Sequence, residues 1–259
     1  MRVPIGDARK AVFGPLDDGA GRSAAVVRRL GSAIALGIVE DGERLPSEAR
    51  LAESLGVATV TLREALAELR SRGLVDTRRG RGGGNFVRAD EAALAALARG
   101  RLEELGTADL RELGDVRAAV SGTSARLGAA RASGAQLDRL EELIDRVGQA
   151  KTATAQLRAE GRFHIALASA AQSVRLAMQE IELQTELGQV AWGVTRSPGQ
   201  LRADLRAHRA TVAAMRERDG EQARALVEHQ IGVVTRRLVD AHVALSRAGR
   251  SGDAGEQAG

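Results

Sequence analysis

The chain has no cysteine and no tyrosine, one tryptophan and three phenylalanines among 259 residues. Without cysteine there is no disulfide, no thiolate metal site and no cysteine nucleophile. With aromatics at 2%, the interior has to be built from Leu, Val, Ile and Ala, which favours packed helices over sheet sandwiches. Lysine occurs only at positions 10 and 151, so almost nothing titrates between histidine and arginine. The pI of 10.6 then follows from a net charge of only +4 and is not evidence for a nucleic-acid partner. No apolar run approaches the ~20 residues a membrane span needs. The opening MRVPIGDARK has no apolar signal-peptide core. The expectation is a cytoplasmic protein without a membrane partner.

What is present is arginine, unevenly spread. Between Arg70 and Arg88 there are six arginines (70, 72, 78, 79, 81, 88) against one acid, Asp76. Such a patch is either a solvated face or the electrostatic footprint of phosphate binding. The segments around it decide between the two. Residues 1–20 hold two of the four prolines without periodicity and read as a loose arm. In 21–38, Val26, Val27, Leu30, Ile34 and Ile38 form one helical stripe. VEDGERLPSE is a turn-rich connection, with Ser47 placed to cap a helix over 48–55 that Gly56 ends. A second helix over 58–72 buries Leu62, Leu66 and Leu69, and Gly73 ends it. Two short strand candidates, 74–77 and 85–88, flank a glycine-rich tip.

Helix, helix, sharp turn, helix and basic hairpin is the order of a winged helix-turn-helix, assigned to 21–89. The second helix of such a pair lies in the major groove of double-stranded DNA and presents its first turn to base edges. Thr59, Val60 and Thr61 would face bases, by hydroxyl contacts and a thymine-methyl contact, and Arg63 would reach a phosphate or a guanine. Arg78, Arg79 and Arg81 sit on the wing, where Gly80 and its neighbours let the backbone come close to DNA. The competing reading is a winged helix used only for protein contacts.

LPSEARLAESLGVATVTLREALAELRSRGLV resembles the DNA-binding domain of GntR-type bacterial repressors over about 70 residues. Two positions depart from that pattern. Ala49 stands where an Arg is usual, and Ala58-Thr59 replaces the usual Ser-Arg. The resemblance implies a homodimer on a palindromic operator, with a half-site that differs from the commonest family sequence.

After 90 the pattern is helical throughout. Residues 90–104 read as a linker or short helix. An all-helical effector-binding and dimerisation domain spans 105–248, and 249–259 is a disordered tail. The domain is an antiparallel bundle able to enclose a cavity. Glu160 and His164 share one inward face, His208 lies in the stripe Leu201, Leu205, Val212 and Met215, and Gln230 lies in the stripe Leu226, Val227, Val234 and Leu238. His229 and His242 read as surface residues. Burying so many polar groups is costly unless they bind something or one another. This half resembles the FCD effector domain of FadR-like members of the same family, whose members can bind a divalent metal beside a carboxylate effector. Glu160, His164 and His208 match its ligand positions, Gln230 stands where the last histidine would be, and Arg117 matches an effector-binding arginine. The resemblance thus implies three good ligands for a metal such as zinc, and an effector contacted by Arg117 and Gln230. The alternatives are a hydrogen-bonded polar cluster without metal, and a surface salt bridge from Arg117 to Glu112 or Asp115. A metal-dependent enzyme or a non-catalytic binding module built on this domain are the other functional readings, and no residue stands out as a catalytic nucleophile.

Overall fold

The computed structural model describes residues 22–88, 90–191, 194 and 196–256, and in that range it is mainly α-helical. The expected arm, 1–20, lies outside the described residues.

The first unit is built as its stripes require. Helix α1 (Arg22–Ala35) buries Val26, Val27, Leu30 and Ile34. Helices α2 (Glu48–Leu55) and α3 (Thr59–Ser71) pack beneath it through Leu51, Leu55, Leu62, Leu66 and Leu69, all fully buried. The sharp turn between them depends on Gly56, which ends α2 in the left-handed region at φ 67°. Strands β1 (Val75–Arg78) and β2 (Gly84–Val87) pair antiparallel, Val75 opposite Val87 and Arg78 opposite Gly84. The connection before α2 does more than turn. Leu45 N donates to Asn85 O (2.8 Å), Val87 N donates to Glu43 O (2.9 Å), and Arg44 bridges to Phe86, so the chain lays a minimal third strand along the wing.

Residues 90–104, read as linker or short helix, form helix α4 (Glu91–Glu104), capped by Asp90 through its bond from Ala93 N. Six further helices follow: α5 (Thr107–Arg131), α6 (Gly134–Gln149), α7 (Ala153–Ala170), α8 (Val174–Ala191), α9 (Pro198–Arg216) and α10 (Gly220–Glu256). Five starts carry side-chain caps, from Ser133, Thr152, Ser173, Ser197 and Asp219. Pro198 is the first residue of α9 rather than a breaker ahead of it, since the first turn has no use for its missing N–H. Helix α10 continues past the expected end at 248 to Glu256. Helices α5 and α10 lie against each other so closely that a Cβ at Gly114 would collide with Thr235, and one at Gly122 would stand 2.7 Å from Glu228 Oε1. Among the described residues no helix is long and apolar enough to cross a membrane.

The two halves share a core. Ile181 of α8 is buried with the residues of α1, and Leu157 and Ile165 of α7 pack against the same cluster. Arg158 of α7 donates to Ala35 O (3.1 Å) and Ile34 O (2.9 Å) at the end of α1. Ile34 O also accepts from Gly37 N (3.1 Å) in the turn that ends α1, and the guanidinium is well placed at the negative end of the helix dipole.

Candidate nucleic-acid interface and interior pocket

Thr59, Val60 and Thr61 form the first turn of α3, on the side away from the buried leucines. Val60 is 65% exposed and free to meet a partner. Arg63 is also on this face, with Nε 2.8 Å from Glu48 Oε2, and would have to exchange that carboxylate for DNA. On the wing, Arg79 and Arg81 are exposed around a turn closed by Gly83 N donating to Gly80 O (2.8 Å). Gly80 and Gly82 have φ of 94° and 89°, which a side chain would strain. Arg78 lies over the Phe86 ring at 4.3 Å. Two more of the six patch arginines are engaged within the protein. Arg70 Nη1 donates to Thr77 Oγ1 (3.2 Å) and Asn85 Oδ1 (3.4 Å), tying the end of α3 to the wing, and Arg72 pairs with Glu68.

The bundle encloses a cavity of about 190 Å³ whose walls include Arg117, Glu160, His164, Arg196, His208, Gln230 and Arg237, with Leu157, Leu187, Val234 and Leu238. Leu36, just beyond α1, forms part of the wall, so the DNA-binding half reaches the cavity. All five sequence-derived interior residues line it: Arg117, Glu160, His164, His208 and Gln230. Arg117 is buried, whereas Glu112 and Asp115 are exposed, so the surface salt-bridge reading does not hold. Its Nε has no hydrogen-bond partner, and neither does His164 Nδ1. A buried donor or acceptor left unmade costs about 1–3 kcal/mol, which a ligand could recover.

Burial opposes charge throughout. It depresses the Arg117 guanidinium, against which Glu180 and Glu160 pull upward. It raises Glu180, whose oxygens accept from Ser121 Oγ (2.7 Å) and Gln184 Nε2 (2.7 Å). Burial would also raise Glu160, but the bond to His208 and the charge of Arg196 prevail and hold that carboxyl well below its usual range. Burial, helped by the charge of Arg117, pushes His164 well below the ordinary imidazole value, so it stays neutral in the folded protein. In the unfolded chain it takes up a proton below about pH 6.5. Stability from this residue is therefore complete above that pH and falls as pH drops through it, by about 1.4 kcal/mol per pH unit. The loss belonging to Glu160 begins only where the unfolded carboxyl protonates, in the ordinary carboxylate range, and continues below it, in a separate window. Urea unfolding between about pH 7.5 and pH 5.5 is expected to show the decline, and His164→Gln to flatten it.

The expected metal set does not assemble. Among the described residues no group of three or more His, Asp or Glu could hold a metal ion. The physical reason is a guanidinium: Arg196 Nη1 is 2.6 Å from Glu160 Oε2, while Glu160 Oε1 faces His208 Nε2 at 3.4 Å. Gln230, in the place of a histidine, donates to Asp204 Oδ1 (2.7 Å) instead. Glu160, His164 and His208 are brought together, but as part of a hydrogen-bonded cluster. Of the histidines read as surface residues, His229 is exposed, but His242 is half-buried with Nδ1 2.8 Å from Leu102 O.

Four members of the site were missed in the sequence. Asp204 precedes His208 by one turn and Arg237 follows Gln230 by two, so both lay on stripes already recognised. Glu180 sits one turn from Gln184 on the buried face of α8. Arg196 comes from the α8–α9 connection, and no periodicity announces it.

A winged helix-turn-helix joined to a helical bundle with a polar interior defines a two-domain class of protein. The gntR family of bacterial regulatory proteins matches residues 22–84, and the FCD domain family matches residues 112–233. The chain belongs to the gntR family, in the branch that carries an FCD domain. It is 44% identical over 171 residues to a putative HTH-type transcriptional regulator, RmpR of Mycobacterium gastri, covering 66% of this chain and 62% of that one. It is 38% identical over 100 residues to the Glc operon transcriptional activator of Escherichia coli K12, covering 36% of each. The chain thus spans less than two thirds of the length of the curated relatives it matches. McbR/YncC of E. coli shares the fold, with a TM-score of 0.52 at 20% identity over 86% of this chain and 99% of that one. The named relatives are transcription regulators, not enzymes.

Proposed function

We propose that the protein is a cytoplasmic transcription regulator that binds a palindromic operator as a homodimer, acts as a repressor, and is controlled by a small carboxylate in the bundle cavity. The observation that carries this reading is the single wall shared by the two halves. Leu36 lines the cavity directly after α1, and Arg158, one turn from Gly161 and close to Glu160, holds the carbonyls of Ile34 and Ala35. A Cβ at Gly161 would stand 3.2 Å from Leu36 Cδ2, so there is little slack between them. A ligand that fills the cavity differently from water acts on Leu36 and hence on α1, the helix that supports α3. Its differential affinity for two settings of the DNA-binding half is the switch. Arg117 Nε and His164 Nδ1 are the unmet groups that an anionic ligand would satisfy, and a guanidinium suits a planar carboxylate.

Affinity selection of sheared source-genome DNA by the full chain tests the DNA half of this reading. A short palindrome is expected, enriched by the wild-type chain and lost with Arg63→Ala. Removal of a base-reading arginine costs about 1–3 kcal/mol. Enrichment that is indifferent to Arg63, or none at moderate salt, would count against operator recognition through α3. Release of the selected duplex by small carboxylic acids tests the other half, and reporter output from the same site gives the sign of regulation.

A further inference from the structure

Glu160 and Asp204 are carboxylates on α7 and α9, with His208 of α9 facing Glu160, and an arginine from outside both helices bridges the two carboxylates. Arg196 Nη1 lies 2.6 Å from Glu160 Oε2 and 3.4 Å from Asp204 Oδ2. The rest of Asp204 is saturated: Arg237 Nη1 donates to both its oxygens, at 2.8 and 3.0 Å, and Gln230 donates at 2.7 Å. The carboxylate oxygens that a divalent cation would need already accept bonds from permanent cations or, at Glu160 Oε1, face His208. Asp204 is 1% exposed and stands behind the cavity wall rather than in it, as does Glu180. The charged groups on the wall itself are three guanidiniums, Arg117, Arg196 and Arg237, against one carboxylate, Glu160.

We propose that Arg196 serves as an internal cation, standing among Glu160, Asp204 and His208 where a divalent metal would otherwise bind, so that the pocket meets the carboxylate of its ligand with guanidinium groups and without metal. This rests on the effector-pocket reading for the ligand, but not for the cation. The exchange changes the chemistry of recognition. A metal offers a point charge that accepts hydroxyl, carbonyl and imidazole donors alike and can be withdrawn by a chelator. A guanidinium cannot leave, stays charged at physiological pH, and offers a planar fork that matches a carboxylate. Arg196 also arrives from the α8–α9 connection, whereas Glu160 and His208 sit on helices.

Zinc titration of the full chain by calorimetry, with Glu160→Gln, Arg196→Met and Arg196→Lys, tests the proposal independently of DNA or effector. The wild-type chain is expected to show no stoichiometric zinc binding that depends on Glu160. Arg196→Met keeps the length of the stem, removes the charge, and is expected to bind one zinc per chain at least about tenfold more tightly than wild type. Arg196→Lys is expected to behave as wild type, because the ammonium keeps a cation in place. Stoichiometric zinc in the wild-type chain, lost in Glu160→Gln, would overturn the proposal. So would an Arg196→Met protein with native circular dichroism and unchanged zinc affinity. The wild-type arm decides even if that variant does not fold, and no outcome bears on operator binding.

Discussion

Replacing Arg78, Arg79 and Arg81 together with alanine is expected to weaken DNA binding by about 10²-fold per winged helix at physiological salt, with little regard to sequence. Each phosphate neutralised by a protein cation releases a counterion, and the logarithmic salt slope changes by about 0.9 for each such pairing. Taking three cations from one wing should flatten that slope by about 2.7. The wing can do without them and stay folded. Arg79 and Arg81 are exposed, and the hairpin is held by the Val75–Val87 pairing, by Leu45 and Glu43 along its edge, and by Arg70 at Thr77 and Asn85. Arg78 has the one internal contact, over Phe86. Fluorescence anisotropy with specific and random duplexes at several salt concentrations checks the prediction. A weakening confined to the specific duplex would mean that these side chains read bases rather than phosphates.

Arg117→Met should separate ligand response from stability. The side chain is buried, its Nε is unmet, and its charge is opposed chiefly by desolvation. Taking the cation away removes a cost in the empty protein, so the urea midpoint is expected to hold or to rise. Glu180, already raised by burial, loses the opposing charge of Arg117 and is pushed further up, while it keeps its bonds from Ser121 and Gln184. A bound carboxylate would lose its partner in the interior, a loss of about 2–5 kcal/mol, or 30-fold to several thousand-fold in ligand affinity. Operator release by carboxylic acids should vanish while operator affinity without ligand stays near that of wild type. A variant that loses stability and keeps its ligand response would make Arg117 a structural residue.

Much of this was legible in the chain itself. The leucine and valine stripes at helical spacing located the helices of the DNA-binding half to within a few residues, and the glycine-rich basic stretch located the wing. The inward faces of Glu160, His164, His208 and Gln230 were correct because a helix repeats every 3.6 residues whatever it packs against. Asp204 and Arg237 were within reach of the same reasoning, one and two turns from residues already chosen.

The pairing of Glu160 with a guanidinium comes from a contact that periodicity cannot express. Arg196 lies between helices, and its approach to Glu160 spans 36 residues of chain. His242 was read as a surface residue because its sequence neighbours said nothing of Leu102, 140 residues away. Likewise, nothing local marks Arg158 as the residue that holds the end of α1, or Leu36 as a wall of a cavity in the other half.

By itself the sequence determined the helical class, the winged helix with its exposed first turn and basic wing, and a polar interior in the second half. These depend on periodicity, caps, glycines and local charge, which act over a few residues. Only the tertiary structure decided what that interior is: which carboxylates face the cavity, which stand behind it, and which cation neutralises them. Ion pairs and cavity walls form between segments far apart in the chain, and their partners are chosen by packing geometry.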